Sequence, residues 1–427
     1  MTAGIGVAAI AAVALGACGA DDGTPSGSIH GRAPEQVVDT IGDTIVVRNL
    51  AGSVWGAEAT LVPEVSIGEL DGPEEYLFGN VYAIAVDDDR RVYVLDFQAK
   101  QVRVFDSEGH HLRTLGGRGE GPGELGSAVS VAALSDGRVL IQDHSGYHVE
   151  VYGPDGSYLE QWQYGAAGVI YPQKPLSVDQ DGRIHVAAAA SSKARFAFYQ
   201  VVVLGSDGTR LDTLDPPGND FQPPSVKIPF PTPIAGHTSA PYPVPLTARR
   251  YWTVHPNGHF LTGISTDYRI DLQHGNGVLR IERAYEPAPI SESERSHYSD
   301  DLTSSIRRTQ SDWSWNGPPV PETKPPFRGL IAGRDGRIWV WLWTEAHEVE
   351  NADHDPDDPG SRATTWRSPL RYDAFRADGA YLGVLVVPDD VAYQPDPVFN
   401  GDHVWAVTRD ELGVQRVVRY RIVVGGT

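Results

Sequence analysis

Asp89-Arg90-Arg91-Val92-Tyr93-Val94-Leu95-Asp96 and Asp136-Gly137-Arg138-Val139-Leu140-Ile141-Gln142-Asp143 are one pattern written twice, 47 residues apart and without a gap. The match extends outward. Val102 falls on Val149, Val104 on Val151, Phe105 on Tyr152, Gly109 on Gly156 and Leu112 on Leu159. Alternating apolar residues between turn signals, repeated at such a period, describe a small antiparallel sheet that cannot bury both its faces alone. The Asp-Gly or Asn-Gly signal recurs at Asp181-Gly182, Asn257-Gly258, Asp335-Gly336 and Asn400-Gly401, which with the first two makes six units. A second turn follows in most of them, at Glu108-Gly109, Asp155-Gly156, Asp207-Gly208, Asn276-Gly277 and Asp378-Gly379. Such dipeptides between apolar runs are hairpin signals. Each unit then reads as four antiparallel strands, a to d, and six units arranged radially predict an all-β, six-bladed propeller. The last unit ends after Val417 to Ile422 without a fourth strand. Ring closure therefore calls for an N-terminal strand from residues 44–48 or 59–66.

Val92-Tyr93-Val94-Leu95-Asp96, Val102-Arg103-Val104-Phe105-Asp106 and the run Gly116-Gly117-Arg118-Gly119-Glu120-Gly121-Pro122-Gly123 resemble NHL-repeat proteins, within the TolB-like six-bladed propellers. The resemblance is strong over residues 76–162 and rests on turns and strand patterns beyond them. It brings one expectation about chemistry: as in gluconolactonase-like hydrolases and lyases, a divalent cation held in the central channel. WD-type repeats are not supported, because no unit carries the His and Trp-Asp signature.

The 427 residues carry 35 basic and 56 acidic side chains, a net charge of −21, with no block of Lys or Arg. That balance argues against nucleic-acid binding, which needs a basic footprint. Ile5 to Leu15 is an apolar run of signal-peptide length, too short to span a bilayer. It leads into Leu15-Gly16-Ala17-Cys18, which resembles the lipobox of bacterial lipoproteins. Cys18 is the sole cysteine, so it has no disulfide partner within the chain and fits a lipid anchor. The expected organisation is a leader over 1–18, a tether over 19–40 and a propeller over 41–427. The expected location is the bacterial envelope, at the outer membrane, attached to the bilayer through acylated Cys18 alone.

Turns a–b and c–d must share one face of the disc. Every long insertion falls in the other class of connection: residues 116–127, 163–174, 215–250 and 284–326 between blades, and 187–197 and 343–367 between strands b and c. The functional site is expected on this decorated face, since binding residues concentrate on loops held by a rigid scaffold. The Pro-rich loop 215–250 reads as a stiff, extended cover with few backbone donors. Within 284–326, Ser291 and Glu294 have capping-box spacing, and Tyr298, Leu302 and Ile306 recur every four residues, so a helix is expected there.

Ligand-binding candidates are Asp96, Arg118, Asp143, His144 and Trp343. Asp96 and Asp143 end strand b and either cap backbone in the b–c turn or face the channel mouth as free carboxylates. Asp143-His144-Ser145 holds triad residue types, but neighbours in sequence point apart and no Gly-x-Ser-x-Gly elbow is present. The glycine run 116–123 lacks a P-loop ending, and Arg118 within it could offer a charge to an anion. Trp339, Trp341 and Trp343 share one sheet face, with Trp343 the one to emerge. His347, Asp353, His354 and Asp355 lie in an acidic loop whose donors suit Ca2+ or Zn2+, although the spacing matches no established metal motif and no cofactor is expected. A cation in the channel would draw on Asp96, Asp143, His144, His185 and His347. The sequence favours a non-catalytic, monomeric envelope protein that binds a partner protein, peptide or glycan; the alternative is a metal-dependent hydrolase or lyase.

Overall fold

The computed structural model describes residues 33–119, 121–165, 174–189, 199–218, 220–232, 236–351, 354–357 and 361–425. Cys18, Asp353, the leader, most of the tether and parts of the loops 163–174, 187–197 and 343–367 lie outside the described residues.

Among the described residues, six four-stranded antiparallel sheets follow one another. Blade 1 is Val81–Val86, Val92–Asp96, Gln101–Phe105 and His111–Gly116; blade 2 is Ala128–Ala133, Val139–Asp143, His148–Tyr152 and Tyr158–Gln163. Blade 3 is Ser177–Val178, Ile184–Ala189, Tyr199–Leu204 and Arg210–Leu214; blade 4 is Arg250–Val254, Phe260–Ile264, Arg269–His274 and Gly277–Arg283. Blade 5 is Phe327–Ala332, Ile338–Leu342, Arg371–Phe375 and Tyr381–Val386. Blade 6 takes Val398–Asn400, His403–Arg409 and Gln415–Val424 from the C-terminal end and Ala59–Ile67 from the N-terminal end. The protein is a six-bladed β-propeller closed by an N-terminal strand, and of the two strands expected for that closure it uses the second.

Each junction between blades is filled by apolar side chains from both neighbours. Leu95, Val104 and Ile141 pack blade 1 on blade 2; Leu140, Val149 and Val186 pack 2 on 3; Val201 and Trp252 pack 3 on 4. Ile270, Ile281 and Phe375 join 4 to 5, Trp339, Tyr372 and Val404 join 5 to 6, and Val94, Phe105 and Trp405 close 6 on 1. Sheets buried on both faces read as near-continuous apolar runs, and every residue of Val92–Asp96 and Val139–Asp143 is indeed buried.

The N-terminal segment does more than close the ring. Glu35–Ile41 and Thr44–Ala51 form a hairpin, and the second of these strands adds in parallel to the outer strand of blade 4. Residues 35–40, expected as tether, are therefore a strand, turned back at Gly42-Asp43. The chain then donates from Val54 and Trp55 to Tyr381 and Leu382 of blade 5 before entering blade 6. It passes along the outer edges of blades 4, 5 and 6 in turn.

The long insertions have structure of their own. The Pro-rich segment is an antiparallel hairpin, Ser225–Thr232 with Gly236–Pro243, and not a ladder-free cover. Pro229, Pro231, Pro241 and Pro243 all fall in the same alternate pairs of its register, so no ladder donor is lost. In the same class of position, Lys227 turns its backbone outward: its N–H donates to Asn316 Oδ1 (2.7 Å), and its carbonyl accepts from Trp313 Nε1 (3.0 Å). Helix α1, Glu292–Arg307, is capped by Ser291, whose hydroxyl accepts from the Glu294 N–H at 3.1 Å. Val226, Val244, Ile290, Ile306, Trp313 and Val320 make a separate small core between hairpin, helix and loop. The capping box is only half made, because the Glu294 carboxylate turns instead to Lys324 Nζ at 2.8 Å.

Removing residues up to 67 should abolish the cooperative thermal transition followed by circular dichroism, because blade 6 then lacks its outer strand. Removing residues up to 51 should leave a cooperative transition at lower temperature, since that hairpin only adds to a sheet already complete.

Candidate functional site

Strands a of the six blades surround a central cavity of about 430 Å³. Its middle is apolar, with Ala85, Val131, Val178, Val254 and Ile331. Polar groups gather at the ends. The tight-turn end carries Asp88, Asp179, Gln180 and Arg334; the decorated end carries Lys174 and Asp396, each just before strand a of its blade. Lys174 Nζ donates to the Trp252 carbonyl at 2.9 Å. The enclosure lowers the Lys174 pKa by burial and raises that of Asp396 by burial, while each attracts the other's charge across the channel. Neither residue was singled out by the sequence, where both sit in unpatterned loops.

Asp96 and Asp143 do not reach this cavity as free carboxylates. Asp96 is buried and accepts from the N–H groups of Gly79 (2.9 Å), Asn80 (3.1 Å), Gln98 (3.0 Å) and Ala99 (3.1 Å), with Arg103 Nη1 at 3.3 Å. Asp143 accepts from Gly126 (2.8 Å), Ser127 (3.0 Å) and the N–H and hydroxyl of Ser145 (2.7 and 2.6 Å). The donors Gly79, Asn80 and Gln98 fall on Gly126, Ser127 and Ser145 at the same shift of 47. Each carboxylate thus ties a blade-linking loop to a b–c turn, the capping alternative of the two the sequence allowed.

His185, also a channel candidate, places Nε2 2.9 Å from Asp179 Oδ2, which accepts from Arg183 Nε at 2.8 Å as well. Asp87 makes the same pattern in blade 1 with Arg91 Nε (2.8 Å) and the Tyr93 hydroxyl (2.9 Å). His185 therefore occupies the place of Tyr93 in a repeated a–b turn motif. His144 is half-buried with its pKa lowered by burial, and its Nε2 lies 3.4 Å from Gln142 Nε2.

His347 is exposed on a short hairpin, His347–Glu350 with Thr364–Arg367, where a loop was expected. His354 Nδ1 meets the Ser361 hydroxyl at 3.1 Å, and Asp355 accepts from Asp357 N–H at 2.9 Å. Among the described residues, no three His, Cys, Asp or Glu side chains come together as a metal-ligand set.

The decorated face above blade 5 holds the aromatic group that the Trp alternation pointed to. Trp339 and Trp341 are buried in the junction with blade 6, and Trp343 emerges half-buried. Arg328 at the top of strand a lies with its guanidinium carbon 4.3 Å from the Trp341 ring centre, 3.9 Å from Trp343 and 5.3 Å from Tyr393. Gly329 permits this, since a Cβ there would meet the Trp341 ring at 3.2 Å. Beneath it, Lys324 and Glu294 form an ion pair in which both side chains are almost wholly buried, with Lys324 Nζ also donating to the Thr344 carbonyl at 2.9 Å. Beside Trp343 opens a second cavity of about 540 Å³, walled by Tyr285, Pro325, Pro326, Leu342 and Arg283. Arg283 is held by Asp373 at 3.1 Å and the Tyr381 hydroxyl at 3.1 Å. Arg118, by contrast, is exposed over blade 1 and its Nη2 lies 3.3 Å from the Gln98 carbonyl.

Three outcomes follow for stability. Asp143→Ala should cost about 3 kcal/mol or more in urea unfolding, because several buried N–H donors lose their acceptor together. Lys324→Ala should cost about 3–5 kcal/mol, since it strands the Glu294 carboxylate inside the small core. Burial pushes the His185 pKa down against the pull of Asp179. The unfolded chain then binds the proton more readily, so stability present above the unfolded value of about 6.5 is lost as pH falls through the folded value. Glutamine at position 185 should flatten unfolding free energy measured between about pH 7 and pH 5.

A family described as a 6-bladed beta-propeller, DUF5128, matches residues 62–163, which run from the closing strand of blade 6 through blades 1 and 2. No curated protein matches the chain. Among solved structures the chain is similar to a protein described as exported, from Bacteroides fragilis, with 13% identity, 86% of this chain and 95% of that one covered, and a TM-score of 0.46. It is similar to a member of the DUF4221 family from Bacteroides vulgatus at 8% identity, 86% and 99% coverage and a TM-score of 0.49. It is also similar to streptogramin B lyase at 10% identity, 87% and 99% coverage and a TM-score of 0.41.

Proposed function

We propose that this protein is an envelope lipoprotein of the NHL and TolB-like kind, anchored at the outer membrane through Cys18, whose decorated face binds an envelope protein, peptide or glycan. It acts as a monomer and without a cofactor. The observation that carries this reading is the asymmetry of the disc. One face is cut back to tight turns, while the other supports a second layer, made of the hairpin 225–243, helix α1 and the hairpin 347–367, with its own apolar core. A layer of that kind adds nothing to ring closure, and rigidly presented loops are where recognition resides. The engagement of Asp96, Asp143 and His185 in repeated structural hydrogen bonds further supports binding over channel catalysis.

A second reading places catalysis in the channel. Lys174 and Asp396, facing each other at its decorated end with pKa values displaced by burial, are the groups that favour it. Such a site would hydrolyse or eliminate within a cavity of small-molecule size.

Replacing residues 225–243 and 347–367 with short Gly-Ser turns should abolish retention of envelope components by the immobilised protein while the thermal transition of the ring persists. Retention that survives both replacements would remove the binding reading. Near-stoichiometric calcium or zinc kept after dialysis against metal-free buffer would instead favour the metal-dependent hydrolase or lyase.

A further inference from the structure

Arg328 is a charged group of the decorated face that its surroundings leave without an oxygen partner. Among the described residues its guanidinium makes no hydrogen bond and no ion pair; the rings of Trp341, Trp343 and Tyr393 lie against it, and Tyr251, Tyr298 and Tyr372 are near enough to act on its charge. The Glu294 carboxylate beneath is already taken by Lys324. Other arginines near this part of the fold have oxygen partners: Arg283 has Asp373, Arg367 the Asp389 carbonyl, and Arg371 Glu58. Burial holds the Arg328 pKa below its ordinary value, yet a guanidinium does not give up its proton in a protein. A charge kept half-buried and unpaired is destabilising, and such groups are normally matched.

The geometry restricts what could match it. Trp341 is in the strand Ile338–Leu342 and Trp343 is the first residue beyond it, and the guanidinium carbon lies about equally close to both rings. None of the Arg328 nitrogens is among the polar atoms sealed from solvent without a partner, so its N–H groups are open to one. The edge of a guanidinium presents two parallel donors at the spacing of two oxygens on one atom. Trp343 also borders the second cavity, where Pro325, Pro326, Leu342, Tyr268 and Tyr285 share the walls with Arg283 and Glu286; Arg328 is not among them and reaches it only past the Trp343 ring.

We infer that Arg328, set between Trp341 and Trp343, is a binding site for a carboxylate carried on an apolar or aromatic body, the carboxylate meeting the guanidinium edge and the body entering the cavity beside Trp343. This rests on the decorated face being the binding face and names the ligand class it takes.

The test uses the full-length chain and four probes: N-acetyl-phenylalanine, its uncharged amide, galacturonate and inorganic phosphate, followed by tryptophan fluorescence and titration calorimetry. The acid should bind saturably, and the amide at least about 10-fold more weakly, as expected for loss of a charge-assisted hydrogen-bond pair. Arg328→Gln should weaken the acid by about 10- to 100-fold and leave the amide unchanged. Arg328→Lys, which keeps the charge without the fork, should fall between them, and it serves as the comparison if the glutamine variant melts early. Equal binding of acid and amide, undiminished binding by Arg328→Gln and Arg328→Lys, or no binding of the acid by the parent protein up to about 10 mM would each overturn the assignment. Tighter binding of phosphate would overturn the carboxylate, and equal binding of galacturonate the apolar body. Any of these results with retention of envelope components intact leaves the face reading standing, whereas probe binding that persists when retention is absent removes that reading and keeps the site.

Discussion

Each blade of this protein is apolar on both faces, and neither face has any cover except the next blade. That constraint forces the ring to close, and the rest of the structure depends on the closure. Without that one N-terminal strand, Val418 and Tyr420 would lose cover and a row of backbone groups would be left unpaired along Gln415–Val424. Ala59–Ile67 answers both needs at once, pairing along the whole strand and carrying Ala59, Leu61 and Ile67 into the junctions on either side. Once the ring is closed, the inner strands are fixed about the channel and the loops above them are held at fixed separations. The layer on the decorated face inherits its order from this.

The carboxylates at Asp96 and Asp143 serve the same constraint on a smaller scale. A blade-linking loop and a b–c turn meet at the same corner of the disc, each with N–H groups that no ladder satisfies. One buried carboxylate takes up both sets. In blades 1 and 2 the sequence keeps this device at identical spacing, which is why the repeat is so plain there. Beyond blade 2 the place of the Asp is taken by Ala188, Ile264, Leu342 and Thr408. The corners there are filled differently, by Arg250 on the Pro217 carbonyl (2.9 Å) and by Lys324 on Thr344.

Local chemistry was legible in the sequence, and distant pairing was not. The turn at Asp136-Gly137 and the cap at Ser291 are decided within a few residues, and both are where the pattern put them. The Pro-rich hairpin was missed because proline counts suggested a lost ladder, whereas the prolines at 229, 231, 241 and 243 keep to one alternation and spare it. The strand Glu35–Ile41 was missed because it is exposed along its length and so has no burial pattern to display, although Gly42-Asp43 offered a two-residue turn. Of the aromatic site, the Trp alternation was visible, but Arg328 depends on Tyr393 from the loop before blade 6 and on a glycine at 329, and nothing in the linear order joins them. Lys174 and Asp396 line one channel only because the ring brings blades 3 and 6 to opposite sides of it.

The route of the N-terminal segment sets a schedule on folding. Ala59–Ile67 is made early and finds its partner, Gln415–Val424, only after more than three hundred further residues have emerged. Contacts of such separation carry a large loop-closure cost and slow the approach to the native state. Until then blades 1 to 5 can stack on one another while both ends of the stack stay uncovered, the first at Val81 and Val94, the last at Trp339 and Tyr372. A chain of this design stays open to holding factors and to aggregation through the whole of its synthesis, and it becomes sealed in one late step.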